Sequence, residues 1–189
     1  FQKAVVDGTG KVYILGEERL RLFQQDGGYC GSIELPGKEL LDMVCTGDDT
    51  VYVTYRRTED THVYLAKVEQ KTGKLGEAVS ILGTGKLYTD EEGNILTCDA
   101  RYLYEIDTAT GEGIALLDLP KHYIKVADIC ELRRSNSGEF SFLLKAVRGN
   151  GDELEWITLR ENIGNHLRNK FPRGFIKINE RYKTIIDPT

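Results

Sequence analysis

Proline is scarce, at 4 of 189 residues, and methionine and tryptophan occur once each. So few prolines exclude a Pro-rich spacer or an extended polyproline segment. Long apolar runs are missing too: Ile114–Leu117 and Ile185–Ile186 fall far short of the roughly 20 residues that cross a bilayer as a helix. No transmembrane segment is expected. The four cysteines, Cys30, Cys45, Cys98 and Cys130, stand 15, 53 and 32 residues apart. None belongs to a Cys-x-x-Cys pair or a Cys/His cluster of metal-ligating spacing, so no metal is expected. Each sits among apolar residues and reads as a small buried hydrophobe, while the even count leaves disulfides open. An excess of positive charge is also absent. Lys and Arg number 25 against 30 Asp and Glu, for a net charge of −5, which offers no footprint for a polyphosphate backbone, and no nucleic-acid partner is expected. With 40% hydrophobic and 29% charged residues, the chain has the composition of a folded domain rather than a disordered one.

What is present in excess is glycine, at 20 residues, above the usual share of about 7%. These glycines punctuate a repeat. Asp7-Gly-Thr-Gly-Lys-Val-Tyr-Ile-Leu15 is a turn followed by an alternating run, and it recurs as Thr46-Gly-Asp-Asp-Thr-Val-Tyr-Val-Thr54, as Asp90-Glu-Glu-Gly-Asn-Ile-Leu-Thr-Cys98 and, more loosely, as Ser135 to Leu143. Val12, Val51, Ile95 and Phe140 are then equivalent, at spacings of 39, 44 and 45. A second strand follows in each unit: Arg19–Phe23, His62–Val68, Tyr102–Ile106 and Glu153–Leu159. All alternate with period 2 and are rich in β-branched and aromatic residues. Turns at Gln24–Gly28, Glu69–Gly73 and Asp107–Gly111 lead to third strands at Gly31–Leu35, Ala78–Leu82 and Ile114–Leu119. A fourth strand precedes each hairpin at Lys3–Val6, Leu40–Cys45, Gly85–Thr89 and Lys125–Cys130. Four antiparallel strands in a meander, repeating every forty-odd residues, make the blade of a β-propeller. The fold expected is therefore all-β and propeller-like, with about four blades over 3–37, 38–84, 85–120 and 124–160, closed on themselves or part of a larger ring. A sandwich of short strands accounts for strand spacing but not for glycine turns at equivalent places.

Residues 161–189 depart from this pattern. The segment is basic, with Arg168, Lys170, Arg173, Lys177, Arg181 and Lys183, and places Ile163, Leu167 and Phe171 four apart before Pro172. Short strands are read at Phe175–Ile178 and Tyr182–Ile186. The segment either completes the last blade or starts a further domain, and pairing of Lys3–Val6 with a C-terminal strand would zip a ring.

The chemistry-bearing residues are scattered. Asp7, Asp26, Asp48, Asp49, Asp90 and Asp107 lie beside glycine turns, but none opens the ligand series a calcium loop needs, so turn formation accounts for them. Asp7-Gly-Thr-Gly10 and Gly83-Thr-Gly85 precede neither Lys-Ser/Thr nor a helix and are not phosphate loops. His62, His122 and His166 fall in three different units with no nucleophile motif beside them, and His62 reads as a surface residue. The acid pairs Glu17-Glu18, Glu59-Asp60, Glu91-Glu92 and Asp152-Glu153 are solvated turn residues, or carboxylates of a hydrolase if two met across a cleft. Arg56-Arg57 and Arg133-Arg134 read as solubilising loop charges, or as a dock for an anionic partner. Tyr13, Tyr52, Tyr64, Tyr102 and Tyr104, with Trp156, recur at related strand positions, either packing between blades or lining a face that stacks on sugars or peptides. No catalytic residue, ligand-binding residue or cofactor is assigned.

The paired motifs Asp7–Leu15 with Leu20–Gly27, and Asp90–Leu96 with Tyr102–Asp107, resemble propeller repeats of secreted bacterial proteins. More narrowly, residues 1–160 resemble the propeller-like region of Firmicute lipoproteins that precedes an extracellular solute-binding domain. That resemblance implies a cell-surface location, a lipid anchor upstream of Phe1, and a non-catalytic binding module linked to recognition of a sugar or peptide solute for a transporter. A hydrolase using loop carboxylates and a scaffold for protein assembly, including a homodimer, are the alternatives.

Overall fold

The computed structural model describes residues 3–69, 72–90, 92–99 and 102–118, with side chains as far as 116, and beyond them the strand backbone of 125–134, 139–147, 155–162 and 177–178. Among the described residues there are sixteen strands and no helix. The first sheet comprises β1 (Lys3–Val6), β2 (Val12–Leu15), β3 (Arg19–Phe23) and β4 (Tyr29–Glu34); the second, β5 (Lys38–Cys45), β6 (Val51–Arg57), β7 (Val63–Glu69) and β8 (Lys74–Ile81). The third contains β9 (Tyr88–Thr89), β10 (Ile95–Cys98), β11 (Tyr102–Ile106) and β12 (Gly113–Asp118); the fourth, β13 (Lys125–Arg134), β14 (Glu139–Val147) and β15 (Glu155–Asn162). Each sheet is an antiparallel meander in chain order, the all-β, propeller-like arrangement expected from the repeat. Neighbouring sheets meet through their innermost strands, β1 against β5, β5 against β9 and β9 against β13. Among the described residues no comparable contact returns the fourth sheet to the first, so the fan is open.

Alternation within the strands explains why the sheets stack. In β6, Val51, Val53 and Tyr55 enter the core shared with the first sheet, against Tyr13, Leu15, Leu20 and Leu22, while Tyr52 packs into the core shared with the third. Strand β7 repeats the division, sending Ala66 and Val68 one way and Val63 and Leu65 the other. Burial on both faces is why these two strands carry apolar residues at both parities, Tyr52 beside Val51 and Val53, and Leu65 beside Ala66, over the period-2 alternation read in the sequence.

The turn between the first two strands of a unit recurs three times with one hydrogen-bond pattern. Its fourth residue donates to its first, as Gly10 N to Asp7 O (2.9 Å), Asp49 N to Thr46 O (3.0 Å) and Gly93 N to Asp90 O (3.1 Å). That fourth residue takes a positive φ in every case, 83° at Gly10, 62° at Asp49 and 86° at Gly93. The first-position aspartates accept the loop amides: Asp7 Oδ1 from Thr9 N and Lys11 N, Asp90 Oδ1 from Glu92 N and Asn94 N.

Four expectations require correction or lie beyond view. Strand β9 has two residues rather than the five of Gly85–Thr89, because the backbone before it is engaged elsewhere: Leu87 N donates to Asp42 Oδ2 (2.8 Å), Gly85 O accepts from Thr54 Oγ1, and Lys86 O from Thr97 Oγ1. Lys177–Ile178, labelled β16, pairs with β12 at the edge of the third sheet, and β1 pairs with β2 alone among the described residues. The remainder of 161–189 lies outside the described residues. Cysteine burial is graded, not uniform: Cys98 is buried, Cys45 half-buried and Cys30 exposed, none of the three in a disulfide, and the side chain of Cys130 lies outside the described residues. Cys30 is exposed because β4 is the outer edge of its sheet, where only Ile33 of the strand is buried.

Candidate functional site: a mixed-charge cleft between the first two sheets

In the first two units, the turn joining the second and third strands lies beside the link between the two sheets. Glu17 O accepts from Leu40 N (3.4 Å) and Glu18 O from Leu35 N (2.8 Å), while Gly37 O accepts from Thr58 N (3.2 Å) and Thr58 Oγ1 (2.9 Å). Two turns, from the first and second sheets, are thereby clipped to the same connecting segment. Between them opens a cleft of about 780 Å³ lined by Glu17, Glu18, Lys38, Glu39, Arg56, Arg57, Thr58, Asp60 and Thr61. Its size is that of a site for a small ligand, about 300–1,000 Å³.

Strand pairing places the cations. Lys38 stands opposite Arg57, and Glu39 opposite Arg56, across β5 and β6. Arg56 Nη1 lies 3.7 Å from Glu39 Oε2. Tyr55 and Tyr64, directly opposed on β6 and β7, stack with ring centroids 5.6 Å apart and planes 22° apart. The Arg57 guanidinium lies over the Tyr64 ring at 4.2 Å, and Lys38 Nζ over Tyr55 at 5.7 Å. The result is a row of Lys38, Tyr55, Tyr64 and Arg57 across three strands, in which the cations are held by ring quadrupoles rather than by carboxylates.

Asp60 is occupied. Its Oδ2 accepts from Tyr64 Oη, and its Oδ1 accepts from His62 N (2.9 Å) and contacts His62 Nδ1. These bonds, Tyr64 foremost and His62 next, hold the Asp60 carboxyl below the usual carboxylate range, while the same bond raises the Tyr64 phenol. The third sheet repeats the link, Tyr104 Oη donating to Asp99 Oδ2 at 2.7 Å. Recurrence in a second blade marks the Asp-to-Tyr bond as a device that fixes the turn. His62 precedes β7 rather than lying within it, and is exposed as expected.

Glu17-Glu18, Arg56-Arg57 and the Asp60 of the Glu59-Asp60 pair, read separately in the sequence, therefore meet in one cleft, and His62 and Tyr64, also read separately, hold Asp60 from behind its lining. Lys38, Glu39, Thr58 and Thr61 are its unforeseen members; the signal for them is the repeat itself, which places equivalent turns at the same end of neighbouring blades. Other candidates are dispersed. Asp7, Asp26, Asp48, Asp90 and Asp107 accept backbone amides of their own turns, and no group of three metal-ligating side chains occurs among the described residues. Tyr13 and Tyr104 are buried, and Tyr52 and Tyr102 pack against the core. His122, His166, Glu91, Asp152 and Glu153 lie outside the described residues, as do the side chains of Arg133, Arg134 and Trp156.

No known family model matches the chain, and none of the curated proteins does. Among solved structures it is similar to a luciferin-regenerating enzyme, with 11% identity, a TM-score of 0.53, and 83% of this chain aligned with 61% of that one. It is also aligned with the propeller of Dos1, at 12% identity and a TM-score of 0.36, over 85% of this chain and 47% of that one. The chain thus spans less than two thirds of either protein. At such identities the likeness is one of fold, carried by the first of the two, and it agrees with the stacked antiparallel meanders described above.

Proposed function

We propose that this chain is a binding module that holds a charged solute of peptide character in the cleft between its first two blades, and that it acts at the cell surface in the delivery of that solute to a transporter. The observation that carries the reading is the cleft itself: its walls are clipped together by backbone hydrogen bonds, and its lining combines Lys38, Arg56 and Arg57 with Glu17, Glu18 and Glu39. Such a site is pre-organised, so binding loses little to ordering. The tyrosines favour a peptide over a sugar. Tyr55 is buried, and Tyr64 carries Tyr55 and Arg57 against its ring, leaving neither free to stack on a pyranose. The cell-surface location rests on the resemblance of the repeats.

A hydrolase reading draws on the carboxylates around the cleft. It is weaker, because a carboxyl acting as general acid must stay protonated near neutral pH. Asp60 is held ionised instead.

The test is a titration of the isotope-labelled chain with a tryptic casein digest and, separately, with maltotriose, followed through backbone amide shifts. Peptides are expected to move Lys38, Arg56, Thr58 and Asp60 while maltotriose leaves them in place. Shifts confined to other surfaces, or none, would overturn the assignment. Detection of the native protein in the cytosolic rather than the surface fraction of its cells would remove the transporter role.

A further inference from the structure

The charges lining the cleft are not equivalent, and accounting for them one at a time leaves a pattern. Arg56 and Glu39 neutralise one another at 3.7 Å, and Asp60 is taken by Tyr64 and His62. Four charged groups remain. Glu17 and Glu18 stand side by side on the turn between β2 and β3, on the wall supplied by the first sheet; Lys38 and Arg57 stand opposite one another across β5 and β6, on the wall supplied by the second. Among the described residues, neither the two acids nor the two cations have an oppositely charged side chain within 4 Å, and the cations rest on aromatic rings.

We infer that the cleft takes a dipolar ligand, a short peptide with both ends free, its ammonium set against Glu17 and Glu18 and its carboxylate against Lys38 and Arg57. The inference rests on the reading of the cleft as a binding site and adds to it the direction in which the ligand lies. The physical reason is the cost of desolvation. A neutral ligand filling the cleft strips water from four charges and returns hydrogen bonds that carry no opposite charge. A simple anion satisfies the cationic wall and leaves Glu17 and Glu18 facing its negative charge; a simple cation has the converse fault. Only a ligand carrying both signs at its two ends pairs each wall with its complement, and charge-assisted hydrogen bonds are the stronger kind. The arginine suits a carboxylate in particular, since its planar fork can donate two parallel bonds while the ring beneath supports its face. The separation of the walls is set by the bonds from Leu40 N and Leu35 N to the Glu17 and Glu18 carbonyls and from Thr58 to Gly37 O, so the two signs are held apart before any ligand arrives.

The experiment is calorimetric titration of the full 189-residue chain with tri-alanine, N-acetyl-tri-alanine and tri-alanine amide. Tri-alanine is expected to bind at least about tenfold more tightly than either capped form, the scale of one charge-assisted hydrogen bond lost at one end. The double variant Glu17→Gln/Glu18→Gln should abolish the penalty for acetylation and keep that for amidation, and Arg57→Gln the reverse. These are exposed turn and strand-end positions, and circular dichroism verifies that each variant is folded. Equal affinity for free and capped peptides would overturn the dipolar inference while leaving the cleft a peptide site. A penalty for both caps that survives in all variants would place the ligand elsewhere, and failure of all three probes to bind would overturn both readings.

Discussion

Asp49 holds a backbone conformation that glycine holds in the two equivalent turns, at a φ of 62°, and it is the one non-glycine residue with positive φ among those described. A β-carbon there costs roughly 1 kcal/mol or more, less for Asn and Asp than for other residues. The aspartate persists because its side chain also bonds across the blades, Oδ1 accepting from Gly8 N at 2.7 Å and so tying the turn of the second sheet to that of the first. A β-carbon on Gly8 would meet the Asp49 carboxylate at 2.2 Å, so a side chain there would displace the carboxylate and break the bond. Asp49→Asn, which keeps both tolerance and acceptor, is expected to match the parent protein. Asp49→Gly should fall within about 1 kcal/mol of it, trading the bond for relief of strain, and Asp49→Ala should lose about 1–3 kcal/mol by forfeiting one and keeping the other. Urea unfolding measures the order; an alanine variant as stable as the asparagine one would refute it. Thiol labelling probes the same scale. Cys30 is exposed, whereas burial first and the nearby Asp49, Asp7 and Asp48 charges next raise the Cys45 thiol, and Cys98 is buried. Brief alkylation of the native protein at pH 8 should modify Cys30 at least about tenfold faster than Cys45 or Cys98, as peptide mass mapping would show.

At the scale of strands, one bulge links three sheets. The register of β5 on β6 slips between Leu40 and Asp42, and the Asp42 carboxylate receives Lys3 Nζ of the first sheet at 2.7 Å and Leu87 N of the third at 2.8 Å. The Thr54 hydroxyl on the neighbouring strand donates to both Asp42 O and Gly85 O. Asp42→Ala would orphan the buried Leu87 amide and leave Lys3 unpaired, for an expected loss of about 2–4 kcal/mol. Because each sheet packs on its neighbours, the loss should also broaden the unfolding transition, with the first sheet's amides exchanging ahead of the third's; a uniform shift with unchanged cooperativity would contradict it. This coupling was not readable from the chain. Alternation of Val51–Tyr55 or Arg19–Phe23 announces strands because the signal is local and has period 2, and glycine turns announce the repeat. Asp42 and Leu87 are 45 residues apart, and nothing local marks one as the other's acceptor. The cleft was legible only in fragments for the same reason. Glu17-Glu18 and Arg56-Arg57 look like ordinary solvated turn charges until the stacking of blades brings their turns to one end. The shortening of β9 follows from the same three-sheet junction, whose side chains take backbone groups that a strand would otherwise use.

At the scale of the whole molecule, one buried bond seen from its two ends bears on both the acid and the alkaline dependence of stability, the raised Tyr64 phenol adding to the alkaline side. Asp7, 4% exposed, accepts from Thr9 N, Thr9 Oγ1, Lys11 N and the Tyr13 hydroxyl. Burial pushes its carboxyl up, but these donors together, Thr9 first, bring it below the ordinary value of 3.8. Tyr13, fully buried, is raised above its ordinary 10.0, by burial first and by Asp7 next. The signs follow from proton binding. As pH falls below about 4, the unfolded chain's aspartates protonate before Asp7 does in the fold, so the unfolded state binds more protons and stability declines. Asp48 and Asp60, also lowered, add to the same limb. As pH rises above about 10, the unfolded tyrosine ionises while Tyr13 in the fold keeps its proton, so stability declines again. Between these limits neither group changes its protonation in either state. Tyr13→Phe should therefore lower stability at neutral pH by about 1–3 kcal/mol, since the Asp7 carboxylate loses a buried donor, and should flatten the alkaline limb most and the acid limb in part. Asp7→Asn should reduce the acid limb to the share of the remaining carboxylates. Thermal unfolding from about pH 2 to about pH 11 separates these effects. An alkaline limb unchanged in the Tyr13→Phe protein would mean that the bond between the first turn and its own strand does not govern how this stack of blades responds to base.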